Sequence, residues 1–327
     1  MRLDPTRRLR RLLCAGLLLG AATAFAQDYP AKPVRMLVGF PPGGGADLLG
    51  RVTAELLGKK LGSQFVVVNT VGASGAIAAG TAAKADADGY TLLFATSPLT
   101  LTPHLYKSVP YDALKSFTPI ARIGDGPFGV VVQAESPFKS VADVIAAAKA
   151  RPGTLNYGSG GTASTSQFAG ELLRLMAQAD IQNIAYTGLP AALAALLGGQ
   201  IQLAITDLPP ALGQVRSGRL RMIAVTSAQR VAMLPDVPTV AESVPGYEVS
   251  VWYGLLAPAG IPAAVRTRLQ TALTEAFRSP DKALVDHFAA LGVVPAPLNT
   301  PEQFAEFLRN DFAFWKKLAA DVGIKPN

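Results

Sequence analysis

Glycine and hydroxyl side chains are concentrated in four short loops that follow predicted strands. The loops cover residues 41–47, 70–75, 96–98 and 158–166, and none of them contains lysine or arginine. Each loop leads toward a predicted helix start, where free backbone N–H groups and the helix dipole stabilise negative charge. Any one loop is equally consistent with an ordinary tight turn. The four together predict a site that holds an anion by amides and hydroxyls, without a salt bridge.

The chain offers little for covalent catalysis. Its two histidines, His104 and His287, do not lie beside a plausible nucleophile in the sequence. No G-x-S-x-G elbow is present, the glycine turn at 43–45 lacks the Lys-Ser/Thr pair of a P-loop, and no cluster has metal-ligand spacing. We therefore predict no catalytic residue, no metal site and no cofactor. The alternative is an exported hydrolase that uses a hydroxyl of the 159–166 loop, and a base close in space would support it.

One glycine motif resembles a nucleotide-binding loop. Residues 158–163 match the dinucleotide pattern G-x-G-x-x-[GA], and Asp180 follows. The strand predicted before the motif is very short, however, and Asp180 precedes a strand-like segment instead of ending one. The favoured interpretation is a loop that binds no dinucleotide.

Two aspartates lie at predicted helix starts. Asp47 ends the glycine turn, and Asp207 lies between a predicted strand and Pro209-Pro210. Because aspartate is favoured at helix N-termini, we interpret Asp47 as an N-cap and give Asp207 a capping role as well. The alternative for Asp207 is that it accepts a hydrogen bond from a ligand hydroxyl, amine or protonated carboxyl group.

Strand-like and helix-like segments alternate along the chain, which predicts an α/β fold. The predicted strands cover residues 34–40, 64–69, 91–95, 128–133, 155–157, 202–206 and 220–226. The predicted helices cover residues 47–61, 140–151, 164–178, 262–278, 280–291 and 301–322. Ligands of parallel sheets gather at the carboxyl ends of the strands, where the four loops lie.

The chain has 327 residues, enough for about two domains. It contains neither an internal repeat nor a long linker, so we predict two lobes joined by short crossings near 124–127 and 251–254. Lobe 1 then consists of residues 27–124 and 254–327, and lobe 2 of residues 125–253. The C-terminal helices are expected to pack back on lobe 1.

The first 26 residues have the pattern of a signal peptide. Five arginines precede an apolar run at 12–22 that is too short to span a bilayer, and Ala24-Phe25-Ala26 forms a small-x-small cleavage site. We predict cleavage before Gln27 and export to a bacterial periplasm by the general secretory route, with the twin-arginine route as the second option. A membrane anchor is the less favoured alternative.

Composition excludes several classes of protein. Half of the residues are hydrophobic and 16% are charged, which rules out a disordered chain. Residues 1–26 carry five of the 30 basic and one of the 23 acidic residues, so the net charge of +7 falls to +3 without them and predicts no nucleic-acid partner. The single cysteine, Cys14, lies in the same segment, so a disulfide or zinc–thiolate site is not expected in the mature chain.

A series of short motifs runs in order over essentially the whole mature chain. They are YPAKPVR at 29–35, FPPGGGAD at 40–47, DGYTLL at 88–93, YGSG at 157–160, STS at 164–166, AGEL at 169–172, LLGGQI at 196–201, LPDVPTV at 234–240 and WYGLLAP at 252–258. In this order they resemble the receptors of tripartite tricarboxylate transporters, the Bug-type periplasmic solute-binding proteins. The coverage makes the resemblance far more specific than any single motif.

The resemblance implies a two-lobed α/β fold of the Venus flytrap type, with the ligand cleft between the lobes. It implies a receptor, not an enzyme, that delivers a small carboxylate, most consistent with a dicarboxylate, to membrane permease subunits. Amides, hydroxyls and ordered water of the glycine turn and the Ser/Thr loop would hold one carboxylate. The residues assigned to the site are Phe40, Gly43, Gly44, Gly45, Ala46, Asp47, Ser74, Gly75, Thr96, Ser97, Ser159, Gly160, Thr162, Ser164, Thr165, Ser166, Tyr186 and Asp207.

Three positions depart from the pattern of the family. Ala46 stands where a threonine or serine is frequent, Gln167 where a histidine is common, and Thr187 where many relatives have lysine. These departures leave the resemblance intact, and the sequence predicts the class of substrate only. We expect the receptor to act as a monomer, and a stand-alone periplasmic sensor is the alternative to a transport role.

Overall fold

The computed structural model describes residues 29–321. The predicted signal peptide at 1–26 and the predicted mature start at Gln27 lie outside the described residues. The strands are β1 (Val34–Val38), β2 (Phe65–Asn69), β3 (Thr91–Thr96), β4 (Phe117–Gln133), β5 (Leu155–Ser159), β6 (Ile181–Ala185), β7 (Leu203–Asp207), β8 (Leu220–Val225), β9 (Ser250–Pro258) and β10 (Val294–Pro295). Their order in one mixed sheet is β2-β1-β3-β9-β4-β7-β5-β6, and β8 and β10 both pair with β4.

Helices cover the two faces of this sheet. They are α1 (Gly45–Leu61), α2 (Ala76–Ala83), α3 (Pro98–Leu101), α4 (Val141–Ala150), α5 (Thr165–Ala177), α6 (Leu189–Leu197), α7 (Leu208–Arg216), α8 (Ala263–Arg278), α9 (Lys282–Leu291) and α10 (Pro301–Asp321). No helix between residues 29 and 321 combines the length and the apolar character that crossing a bilayer requires.

Local sequence explains the helix boundaries next to the glycine and hydroxyl loops. Helix α1 begins after Gly44 and ends at Gly62, whose φ of 68° lies in the left-handed region that glycine adopts without strain. Helix α5 begins after Ser164, whose Oγ accepts the N–H of Gln167 at 3.2 Å. Both helices therefore start at the positions where the sequence places the turns.

The long strand β4 connects the two lobes. Its first part pairs with β9 and β10, and its last part pairs with β7 and β8. The change falls between Pro127, opposite Ser250 in β9, and Phe128, opposite Asp207 in β7. Strand β9 then returns the chain to the first lobe beside β3. The residue boundaries given above for the lobes stay a prediction, and the change in pairing lies close to the first of them.

Helix α10 contacts both lobes. Phe304 packs edge-on against Trp252 of β9 at a centroid distance of 5.8 Å, and Trp315 packs edge-on against Phe168 of α5 at 5.0 Å. Between them, Asp311 accepts the indole N–H of Trp252 at 2.8 Å and that of Trp315 at 3.1 Å. The C-terminal helices were expected to pack back on lobe 1, and the end of α10 also lies on α5 of lobe 2.

Candidate functional site

The loops that follow β1, β3 and β5 meet the end of β7 at a cavity of about 50 Å³ between the lobes. Apolar side chains form most of its wall, and its polar groups come from two helix N-termini, Thr96, Asp207 and Tyr253. The lining residues are Phe40, Pro41, Gly44, Gly45, Ala46, Thr96, Pro98, Phe128, Gly160, Ser164, Thr165, Ser166, Leu189, Pro190, Asp207, Val251 and Tyr253.

Helices α1 and α5 both begin at this cavity. The N–H groups in the first turn of a helix have no acceptor within the helix, and the helix dipole adds partial positive charge. Helices α6 and α7 also begin at the cavity, but Pro190, Pro209 and Pro210 in their first turns lack an N–H. The donors therefore concentrate at α1 and α5, one from each lobe.

Asp207 bridges the lobes across the cavity. It occupies the N-cap position of α7, but its side chain does not cap that helix. Its Oδ2 instead accepts the N–H of Gly45, the first residue of α1, at 2.6 Å. The predicted capping role is thus corrected, because the carboxylate satisfies the N-terminus of a helix in the other lobe. Burial raises the pKa of Asp207 to about 6, although the Gly45 N–H opposes the shift.

Tyr253 reaches the same helix N-terminus from β9. A methyl group added at Gly45 would lie 2.9 Å from Tyr253 Oη and 3.0 Å from Asp207 Cγ, so the three residues are in close contact. Burial and the negative charge of Asp207 raise the pKa of Tyr253 well above its ordinary value. The phenol therefore stays neutral and presents a hydroxyl to the cavity.

Three buried hydroxyls beside the cavity have no hydrogen-bond partner. Thr165 Oγ1 belongs to a lining residue, and Ser159 Oγ and Thr206 Oγ1 lie at the carboxyl ends of β5 and β7. A buried hydroxyl without a partner costs about 1–3 kcal/mol, and an acceptor that reached Thr165 Oγ1 would relieve this cost.

No lysine, arginine or histidine lines this cavity among the residues the structure describes. Arg51, on the next turn of α1, pairs with Asp47 at 2.9 Å instead. No cluster of three or more metal-ligating side chains occurs between residues 29 and 321. The cavity is thus suited to an anion bound by dipoles and hydroxyls, with Asp207 as its charged side chain.

The structure brings ten of the residues assigned to the site around this cavity. They are Phe40, Gly44, Gly45, Ala46, Thr96, Gly160, Ser164, Thr165, Ser166 and Asp207. Ser74, Thr162 and Tyr186 line an adjoining cavity of about 210 Å³, and Gly75 lines one of about 20 Å³. Gly43, Asp47, Ser97 and Ser159 do not line any of the three. Ligand contact by each assigned residue stays a prediction.

Asp47 is not the N-cap of α1, because Gly44 occupies that position. Its Oδ2 accepts the N–H of Gly43 at 3.0 Å, and its Oδ1 accepts the side-chain amide of Asn69 at 2.9 Å. Burial alone would raise the pKa of Asp47, but the hydrogen bonds from Arg51, Gly43 and Asn69 hold it below its ordinary value. Asp47 therefore holds the glycine turn in shape from behind the cavity.

The hydroxyl of Ser97 is also engaged in a structural hydrogen bond. Its Oγ accepts the backbone N–H of Trp252 at 3.0 Å, which ties the loop after β3 to β9. The side chain is fully buried. The sequence could not show this contact, since it joins strands that lie far apart along the chain.

The sequence model described as tripartite tricarboxylate transporter family receptor matches residues 49–324. The chain belongs to this family. Protein BugT of Bordetella pertussis is 37% identical over 308 residues, which make up 93% of this chain and 94% of BugT. The resemblance stated from the motifs is confirmed.

Solved structures of similar proteins agree with the family. Rpa4515 of R. palustris, solved with adipate, has a TM-score of 0.87 and 35% identity, with 92% of this receptor and 100% of that chain covered. The periplasmic binding protein BugD has a TM-score of 0.86 and 30% identity, with 91% and 100% covered. MatC of Rhodopseudomonas palustris, solved with malate, has a TM-score of 0.80 and 26% identity, with 89% and 99% covered. The predicted two-lobed α/β fold of periplasmic solute-binding proteins is confirmed.

Sequence reasoning missed five lining residues of the receptor, namely Phe128, Leu189, Pro190, Val251 and Tyr253. Pro41 and Pro98 also line the cavity, and they lie in two of the four predicted loops. Tyr253 stands inside the family motif WYGLLAP, so the motif was a signal for it. Phe128, Leu189 and Val251 are apolar residues that the sequence cannot distinguish from core positions.

Replacing Ser164 with alanine is expected to lower the free energy of unfolding of the receptor by about 1 kcal/mol. Ser164 Oγ accepts the N–H of Gln167 and lies 3.0 Å from Ser166 Oγ, so the substitution removes the cap of α5. Urea unfolding measures the change. Ser243→Ala, at an exposed position without a side-chain cap, should stay within about 0.5 kcal/mol. Equal stability of the two variants would contradict the capping role.

Proposed function

We propose that this protein is a periplasmic receptor that binds a small organic carboxylate between its lobes and delivers it to the membrane permease of a tripartite tricarboxylate transporter. The observation that carries the proposal is the cavity where α1 and α5 begin on opposite lobes. A carboxylate there would accept N–H groups from both helices and the hydroxyl of Thr165. Bonds of this kind to a charged group contribute about 1.5–3 kcal/mol each.

Binding by dipoles suits a receptor that must release its ligand. A handful of such bonds sustains micromolar affinity after the cost of association, without a salt bridge that would slow dissociation. We propose that the lobes, with the boundaries given above, swing open and closed about β4 and β9. A ligand that contacts both helix N-termini stabilises the closed state, because each helix belongs to a different lobe.

A dicarboxylate is the proposed substrate class. The relatives solved with adipate and malate support this choice. The cavity of about 210 Å³ adjoins the first one through Phe40, Pro41 and Gly160, and it is lined by the hydroxyl side chains of Tyr186 and Thr187. A ligand with one carboxylate at the helix N-termini would extend past Phe40 and place its second carboxylate among these hydroxyls.

Among the described residues, no histidine lines the cavity to act as a base for the hydrolase alternative, and the Asp207 carboxylate there accepts a backbone N–H. His104 Nε2 donates to the carbonyl oxygen of Phe312 at 3.0 Å, and its ring packs at a tilt of 57° against that phenylalanine, with a centroid distance of 4.3 Å. His287 lines a separate groove formed by α1, α8 and α9. The geometry thus favours a receptor without enzymatic activity. Transport is favoured over a stand-alone sensor if genes for a large and a small membrane subunit adjoin this one.

Isothermal titration calorimetry with adipate and malate tests the proposed function. At least one of the two acids should bind saturably with a micromolar dissociation constant. Its amide and its methyl ester should bind at least tenfold more weakly, because an uncharged head group gains less from the helix dipoles. An ester or amide that binds as tightly as the free acid would contradict carboxylate recognition.

A further inference from the structure

The cavity proposed for an anion already holds a carboxylate of the protein. Asp207 is only 8% exposed, and its Oδ2 lies 2.6 Å from the Gly45 nitrogen. That N–H is the first donor of α1, the helix whose N-terminus a ligand carboxylate would use. A bound carboxylate and Asp207 would therefore share one small space.

Between residues 29 and 321, the groups that face Asp207 provide no cation that could compensate its charge. Helix α1 contributes the backbone of Gly44 and Gly45, with a Cβ added at Gly44 lying 3.5 Å from Asp207 Oδ2. Strand β9 contributes the neutral phenol of Tyr253, while β4 and α6 contribute the apolar side chains of Phe128 and Pro190.

Two acidic side chains on the elements that form this wall have cationic partners of their own. Asp47 of α1 is bonded to Arg51 and Asn69, and Asp125 of β4 is paired with Arg122. Among the described residues, no lysine, arginine or histidine lines the cavity. Two ionised carboxylates confined together without a cation strongly raise the pKa of one of them, because like charges disfavour the ionised form.

We propose that Asp207 takes up a proton when a carboxylate ligand binds, and that the protonated side chain donates a hydrogen bond to the ligand. This inference rests on the proposed function and adds a proton to its binding step. The proton comes from solvent, and it leaves when the ligand leaves. Binding is thereby favoured on the acidic side of neutrality.

The size of the pH effect on affinity follows from the pKa of Asp207 in the ligand-free protein. Burial raises the pKa of Asp207 to about 6, so the side chain is largely ionised at neutral pH before the ligand arrives. Above that pKa, the fraction of the free protein in which Asp207 is protonated falls about tenfold per pH unit. The affinity for a carboxylate should therefore fall about 100-fold between pH 5 and pH 8 through this residue alone.

The test compares the wild type with Asp207→Asn, whose amide accepts the Gly45 N–H and donates to the ligand at every pH. Adipate is titrated into both proteins between pH 5 and pH 8. Because the ligand's own titration is common to both, the ratio of the two affinities isolates Asp207. The affinity of the variant relative to the wild type should rise about 100-fold over this range.

Proton uptake gives a second readout at pH 7. Binding heats measured in buffers of different ionisation enthalpy should show close to one more proton taken up per ligand by the wild type than by Asp207→Asn. Asp125→Asn is the matched control. Asp125 is also a carboxyl whose pKa is raised by burial, but it does not line the cavity, so this variant should keep the wild-type pH dependence.

Each outcome decides the proposal. A loss of binding by a folded Asp207→Asn at every pH would mean that the ligand donates to an ionised Asp207, and it would overturn the inference. A constant ratio, or equal proton uptake, would overturn it while carboxylate binding stands. If the wild type binds neither adipate nor malate nor any other small acid, the proposed function fails and this inference fails with it.

Discussion

Gly45→Ala should weaken carboxylate binding by about 5- to 150-fold, whereas Gly44→Ala should leave it almost unchanged. The added methyl group of Gly45→Ala would lie 2.9 Å from Tyr253 Oη and 3.0 Å from Asp207 Cγ and Oδ1. Contacts this short force the two side chains apart when the lobes close, and overpacking of this kind costs about 1–3 kcal/mol. Because Gly45 and Asp207 belong to different lobes, the cost falls on the closed state that the ligand requires.

Gly44→Ala is the matched control for this effect. Its methyl group would have Asp207 Oδ2 at 3.5 Å and the Pro41 carbonyl oxygen at 3.7 Å, which are ordinary contact distances. Both glycines line the same cavity, and neither has a positive φ, so backbone strain affects neither variant. Calorimetry with the confirmed ligand gives the two dissociation constants. Equal losses in the two variants, or a larger loss in Gly44→Ala, would mean that the contact with Asp207 and Tyr253 does not control closure.

The glycine turn and the Ser/Thr loop could be predicted from the sequence because helix starts are governed by local chemistry. Gly44 and Ser164 precede helices for reasons that neighbouring residues already contain. Which of the three consecutive glycines is tightly packed could not be predicted. That property depends on Asp207, which is 162 residues away from Gly45, and on Tyr253 in another strand.

The hydrogen bond between Asp207 and the Gly45 N–H could not be predicted either, because it also joins residues far apart in the sequence. An aspartate before two prolines is typical of an N-cap, and Asp207 does occupy that position. Its side chain turns away because β7 ends at the cavity, where the N-terminus of α1 presents an unpaired N–H. The preference of aspartate for helix N-termini predicts the position of Asp207, but the packing of the two lobes determines which N–H its side chain accepts.

The strands that join the lobes were the weakest part of the fold prediction. Only residues 128–133 of β4 were expected to form a strand, since Pro119, Gly124, Gly126 and Pro127 interrupt the pattern before them. Strand β9 accommodates these residues through two shifts of register against β4. Strand β9 itself was interpreted as a crossing, although its apolar run is typical of a strand buried on both faces.

Thr165→Val is expected to weaken carboxylate binding by about 10- to 150-fold without destabilising the free protein. Thr165 is one of the residues that line the cavity, and its Oγ1 is buried without a hydrogen-bond partner. A hydrogen bond from this hydroxyl to a carboxylate contributes about 1.5–3 kcal/mol, which the valine loses. In the free protein, a methyl group of similar shape replaces an unsatisfied hydroxyl, so the free energy of unfolding should stay equal or rise by about 1 kcal/mol.

Thr206→Val separates a contact with the ligand from a general effect of buried hydroxyls. Thr206 Oγ1 is equally buried and equally without a partner, but the residue does not line the cavity. Its substitution should change stability as Thr165→Val does and leave the affinity within about twofold of the wild type. Urea unfolding and calorimetry on both variants give the four values. If both variants lose affinity alike, or if Thr165→Val binds as tightly as the wild type, the hydroxyl of Thr165 does not hold the ligand, and the helix N-termini must hold the carboxylate by their amides.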